Sequence, residues 1–97
     1  MYQKFIITDD GHLRFGQVYL HRELLAPGEE CTGGGLWRID EAKRCVILYG
    51  RSFDFGGPDF SEIHEIEWGS LHHNPIPLFY APHFPALDPL EPVFAHR

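Results

Sequence analysis

Two short stretches of the chain carry residue types that can do chemistry together. His21 follows directly on a run in which Leu13, Phe15, Gln17 and Tyr19 alternate with Arg14, Gly16, Val18 and Leu20, so it sits at the end of an expected strand. Gly50-Arg51-Ser52-Phe53-Asp54-Phe55-Gly56 leaves a second expected strand, the apolar run Cys45 to Tyr49. A glycine-flanked turn after a strand can aim several backbone N–H groups outward, which makes a nest for an anion. Lys4 or Arg14 can add positive charge, and an imidazole can take a proton from water near neutral pH. Together these groups suit anion capture with water activated beside it. They also fit a plainer reading: a tight turn that needs glycine for its backbone angles, with His21 capping or exposed.

Other chemistry finds little footing. The adjacent pair His72-His73 has no helix-spaced partner and no HExxH around it, and neighbours on an extended chain point in opposite directions. Solvated loop histidines are expected there, with no metal and no cofactor. Gly33-Gly34-Gly35 lacks the GxGxxG spacing and precedes a strand rather than a helix. Neither a P-loop nor a GxSxG elbow is present. Cys31 and Cys45 are too few for a disulfide scaffold and read as reduced thiols, Cys45 buried and inert.

The elements that must position these groups are short. Tyr2–Thr8 is β-rich, and Asp9-Asp10-Gly11 supplies a hairpin turn into the second strand. Lys4 shares a face with Tyr2 and Ile6, as a snorkelling edge residue or as a ligand-facing one. His21–Leu25 allows a helical turn or two before Pro27 and Gly28 interrupt it. A second hairpin joins Leu36–Ile39 to Arg44–Tyr49, and its apolar second strand is expected at the centre of the sheet. Ser61 can cap a short helix over 62–68, with Ile63 and Ile66 on its inner face. Six of the eight prolines then fall between Pro75 and Pro92, interleaved with Phe79, Tyr80, Phe84 and Phe94. Repeated proline forbids a helix or a central strand, and the rings call for a surface to lie on. The expected fold class is α+β: a small mixed or antiparallel sheet built from two hairpins, one or two short helices, and an extended C-terminal segment. The expected organisation is one sheet-based domain over 1–73 and a Pro-rich tail over 74–97, packed on its own domain or on a partner's.

At 97 residues there is room for one core, and a charge of −6 argues against nucleic acid, whose phosphates need clustered Lys and Arg. With no long apolar run, no membrane span is expected, and the chain reads as cytoplasmic.

Cys31-Thr32-Gly33-Gly34-Gly35, then thirteen residues, then Tyr49-Gly50-Arg51-Ser52 and Phe55-Gly56, resembles the core of the phosphohistidine phosphatase (Janus/ocnus) family. There C-x-GGG, a hairpin and YGxSxxYG follow at the same spacing. Tyr19–Leu24 is similar to the segment around that family's catalytic histidine, Lys4 matches the lysine of its first strand, and Arg14 lies near an arginine on its second. The likeness spans roughly residues 2–66. It implies an α+β domain with metal-free phosphatase chemistry. His21 would be the general base, Lys4 would neutralise charge, and the N–H groups of Arg51, Ser52, Phe53 and Asp54, with the Ser52 hydroxyl, would hold the phosphoryl oxygens. Departures from the pattern are specific. The arginine after the glycine triplet is Leu36 here, with Arg38 on the same face two residues on. Asp54 puts a carboxylate into the would-be phosphate loop. Only nine residues separate His21 from Cys31, so the family's first helix is truncated or missing, and the Pro-rich tail has no counterpart.

Two functions follow. One is a catalytically altered binding or assembly module, with a phosphorylated protein or a small phosphoramidate as ligand and a homodimer through 74–97 as an option. The alternative is a metal-free phosphatase on phosphohistidine or another phosphoramidate, with His21 as base and the Ser52 loop binding phosphate.

Overall fold

A computed structural model describes residues 1–69 and 76–96. Its regular structure is β1 (Tyr2–Thr8), β2 (His12–Val18), a 3₁₀ turn (His21–Leu24), β3 (Cys31–Asp40), β4 (Cys45–Tyr49), β5 (Glu65–Glu67), β6 (Leu78–Ala81) and β7 (Glu91–Pro92). The strands form one mixed sheet in the order β5-β2-β1-β3-β4-β6-β7, curled into a half-barrel. Both expected hairpins are antiparallel, while β5 and β6 join the sheet in parallel to β2 and β4. Gly11 takes the positive φ (85°) that the first turn requires, where Thr8 Oγ1 also donates to Asp10.

Alternation sorts the side chains between two faces. Phe5, Ile7, Leu13, Phe15, Trp37, Val46 and Leu48 fill the concave side. Phe60, from the segment after the 52–56 turn, lies between Phe5 (ring centroids 6.0 Å apart) and Tyr80 (5.0 Å) and so plugs the half-barrel. On the other face a smaller cluster joins Cys45, Ile47 and Ala81 to Tyr49, Phe79, Leu87 and Leu90. Strand β4 is buried on both faces, as its unbroken apolar run requires, although β3 and not β4 is the middle strand.

The α+β expectation is overturned: one four-residue 3₁₀ turn is the only named helical element among the described residues. The helix expected over 62–68 is instead a turn at Ser61-Glu62 followed by β5. Seven residues cannot carry the cost of helix nucleation alone. As a strand the same residues satisfy β2's edge and place Glu67 on Arg14 (2.9 Å) and His12 (3.2 Å), while Ile66 packs on the core. The stretch after His21 is one 3₁₀ turn, started by the Leu20 N–H donating to Glu23 Oε2 (2.6 Å) and ended before Pro27. The glycine triplet, expected to precede a strand that begins at Leu36, lies within β3.

Residues 76–96 add two strands to the sheet rather than a separate layer. Leu78–Ala81, free of proline and bracketed by Pro77 and Pro82, pairs with Val46–Tyr49, and Pro92 occupies the outermost strand, where a missing N–H is tolerated. Phe84 stacks on Tyr49 at 4.7 Å, and the His96 N–H donates to the Ile63 carbonyl (2.7 Å). The expected boundary at 73/74 and the pair His72-His73 lie outside the described residues. Among the described residues no helix is long and apolar enough to cross a membrane.

Arg14 ties the 25–30 loop to the sheet. Its guanidinium meets both Glu29 oxygens, Glu67 and the Leu24 carbonyl. The hydrogen bonds from Arg14 hold the Glu29 carboxyl down to about 2 from its ordinary 4.5. A lowered carboxylate stabilises the fold fully above its unfolded value, and that support is lost as pH falls from about 4.5 towards 2. Thermal melts across that window are expected to fall more steeply for wild type than for Glu29→Gln; parallel curves would show that the clamp does not contribute.

Candidate functional site

The start of the 3₁₀ turn, the middle of the sheet and the turn after β4 meet in one open cleft of about 340 Å³. Its walls are Lys4, Leu20, His21, Leu36, Arg51, Phe53 and Asp54. Strand β1 brings Lys4 opposite Leu36 of β3, because the two are register partners. His21 arrives at the cleft because β2 ends at Val18 and the chain turns over the sheet at once.

The His21 ring is buried (7% exposed), and its Nε2 lies 2.8 Å from the Gly35 carbonyl oxygen. A carbonyl only accepts, so Nε2 carries the proton and Nδ1 holds the lone pair of the neutral ring. Burial pushes the His21 pKa below its ordinary value, and the Lys4 charge adds to that, against the Gly35 hydrogen bond and the Asp54 carboxylate. The ring is therefore neutral at pH 7. Its seat depends on the glycines: a Cβ on Gly34 would stand 3.1 Å from His21 Cδ2 and 2.4 Å from the Phe5 carbonyl oxygen.

Lys4 donates one hydrogen bond to the Tyr19 carbonyl (2.6 Å), which leaves two of its three N–H groups for a ligand. The 52–56 turn is a closed loop. Ser52 and Gly56 exchange N–H to carbonyl bonds (3.1 and 2.9 Å), and the Ser52 N–H also donates to the Gly34 carbonyl (2.9 Å). The Phe55 N–H donates to Ser52 Oγ (3.2 Å). The amides of Phe53 and Asp54, at the tip of the loop, have no acceptor among the described residues. Phe53 itself is fully exposed.

The expected site residues thus fall into two groups. Lys4, His21, Arg51, Phe53 and Asp54 come together. Ser52 is fully buried below them; its amide ties the loop to the Gly34 carbonyl of β3, and its hydroxyl accepts from the Phe55 N–H within the loop. Arg14 is away from the cleft, saturated by Glu29 and Glu67, which raise its pKa. Arg38 is half exposed, near Asp40 at 3.7 Å, and does not line the cleft. Sequence reasoning missed Leu20 as a wall and the Gly35 carbonyl as the group that fixes the His21 tautomer; a backbone acceptor leaves no sequence signal. Two cations against one carboxylate make the cleft locally positive on a chain of charge −6. Free N–H groups on Lys4 and on the loop tip suit an oxyanion with several equatorial oxygens. No group of three or more His, Cys, Asp or Glu among the described residues can hold a metal ion. Comparison with protein-family models, with curated proteins and with solved structures returned no match.

Proposed function

We propose that the cleft binds a phosphoryl group, and that the chain is a cytoplasmic module of the phosphohistidine phosphatase type which captures a phosphorylated protein or a small phosphoramidate. The observation that carries this is the convergence of Lys4, His21 and the Arg51–Asp54 turn on one cleft. Lys4 and Arg51 supply the charge and the tip amides of Phe53 and Asp54 the directed donors. Leu36 and Asp54 favour capture over turnover, since one replaces a cation and the other sets a carboxylate beside the anion.

A second reading, hydrolysis, is favoured by the neutral His21 with its Nε2 proton fixed on Gly35. Water would lose a proton to Nδ1 as its oxygen bonds to phosphorus, the P–N bond would break, and the departing nitrogen would take up that proton.

Titration calorimetry with inorganic phosphate and with phosphoramidate tests the proposal. Both are expected to bind wild type, and Lys4→Ala is expected to weaken them about tenfold or more, as loss of a charge-assisted hydrogen bond does. Unaltered affinity in Lys4→Ala overturns the assignment. Phosphoramidate turnover that vanishes in His21→Ala, with binding retained, selects hydrolysis over capture.

A further inference from the structure

The cleft holds one charge that phosphoryl binding leaves idle. Lys4, Arg51 and Asp54 all line it, yet among the described residues the Asp54 carboxylate has no hydrogen bond and no ion pair. Arg51 has neither as well. Opposite charges that share a cleft attract, and here the fold keeps them apart. Lys4 is drawn to the segment after β2, where its Nζ donates to the Tyr19 carbonyl (2.6 Å) and stands 5.3 Å from the Tyr2 ring centroid. Asp54 rides on the exposed tip of the 52–56 loop, which its own Ser52–Gly56 bonds close and the Gly34 carbonyl holds down. Both charges reach the His21 ring, on which they act with opposite sign.

A bare dianion in this cleft gains from two cations and loses to one carboxylate. A ligand that brings its own cation turns that loss into a gain. The charge of −6 on the whole chain acts in the same direction, since it opposes polyanions and favours ligands of low net charge. The volume of about 340 Å³ has room for a phosphoryl group, a short chain and a cationic head together.

We infer that the cleft takes a zwitterion: a phosphoryl group on Lys4 and the loop-tip amides, and on Asp54 a cation of the same molecule, carried on carbon a few bonds from phosphorus. The inference rests on the phosphoryl-binding reading above and adds what must stand beside the phosphoryl. Asp54 is then the residue that sets specificity. It attracts the cation of a matching ligand and repels a phosphoryl compound that has none. An aminoalkyl phosphoryl compound offers this pair of charges, and so does a phosphorylated protein residue with Lys or Arg beside it.

Calorimetry on the full chain with aminoethylphosphonate and ethylphosphonate isolates the cation, because the two share head group and chain. Aminoethylphosphonate is expected to bind about fivefold tighter, the scale of one exposed ion pair. In Asp54→Asn that preference is expected to vanish or reverse, since Lys4 and Arg51 then repel the ammonium, while ethylphosphonate gains affinity. Comparing the ratio in wild type with that in the variant cancels any difference in how the two free ligands titrate. Phosphoserine peptides with lysine or norleucine as the neighbouring residue identify the source. A preference in the phosphonate pair assigns a small ligand, and one confined to the peptide pair assigns a protein. Equal affinity within both pairs, or a preference that Asp54→Asn does not reduce, overturns the zwitterion assignment and leaves phosphoryl binding intact. Failure of all four to bind overturns both.

Discussion

Gly34→Ala is expected to destabilise the fold by about 3 kcal/mol or more and to displace His21, although it adds one methyl group. The new Cβ would lie 2.4 Å from the Phe5 carbonyl oxygen and 3.1 Å from His21 Cδ2. The first contact is with backbone inside the β1–β3 ladder and cannot be relieved by a rotamer change. Its neighbours are equally confined: a Cβ on Gly33 would meet the Gly57 carbonyl oxygen at 2.4 Å, and one on Gly35 the Tyr49 carbonyl oxygen at 2.6 Å. For a domain of this size the melting temperature should fall on the order of 15 °C. Gly57→Ala is the control, because nothing lies within 4 Å of its Cβ position and its φ is not positive. It should change stability by less than about 0.5 kcal/mol. If the Gly34 variant melts with wild type and its His21 resonances titrate unchanged, the glycine triplet is not what seats the imidazole.

That triplet shows where reading the sequence succeeds and where it stops. Both hairpins are legible, because Asp9-Asp10-Gly11 and the run Cys45–Tyr49 are local signals whose meaning needs no distant partner. The glycines read as lying ahead of the strand at Leu36, because glycine inside a strand has no side chain to mark it. They lie in β3 because the Phe5 backbone, the Tyr49 carbonyl and the His21 ring crowd against them, and that crowding exists only after folding. β5 was hidden for a similar reason. Three residues have no period to detect, and what holds Glu65–Glu67 is pairing with β2, fifty or more positions earlier, with Glu67 on Arg14 and His12. The same network explains Arg14: it has the right charge for the cleft, but Glu29 and Glu67 occupy it first. His21 and the 51–54 turn were legible because glycine spacing marks a turn at a strand end whatever the strand packs on.

Ending the chain at residue 75 is expected to abolish cooperative unfolding altogether. The removal takes β6 off the edge of β4, and β4 is the most buried strand of the sheet, with Val46, Ile47 and Leu48 at 0% exposure. Leu78 and Val93 leave the concave core, while Ala81, Phe79, Leu87 and Leu90 leave the outer cluster, so both faces of β4 meet water together with its edge. A single buried Leu→Ala typically costs about 3 kcal/mol, and a whole domain is stable by only about 5–15 kcal/mol, so losing this many contacts exceeds what a sheet of five strands retains. Near-ultraviolet circular dichroism should lose its aromatic signal and the thermal melt its sigmoid. Leu78→Ala in the full chain gives the graded counterpart, a cooperative melt lowered on the order of 15 °C. A bare β4 edge is also a template for pairing with another chain, so a truncated protein that is folded only as a dimer at high concentration has the same cause. A truncated chain that stays monomeric and melts within about 5 °C of the full protein would show that β1–β5 close their own core and that β6 and β7 cover nothing essential.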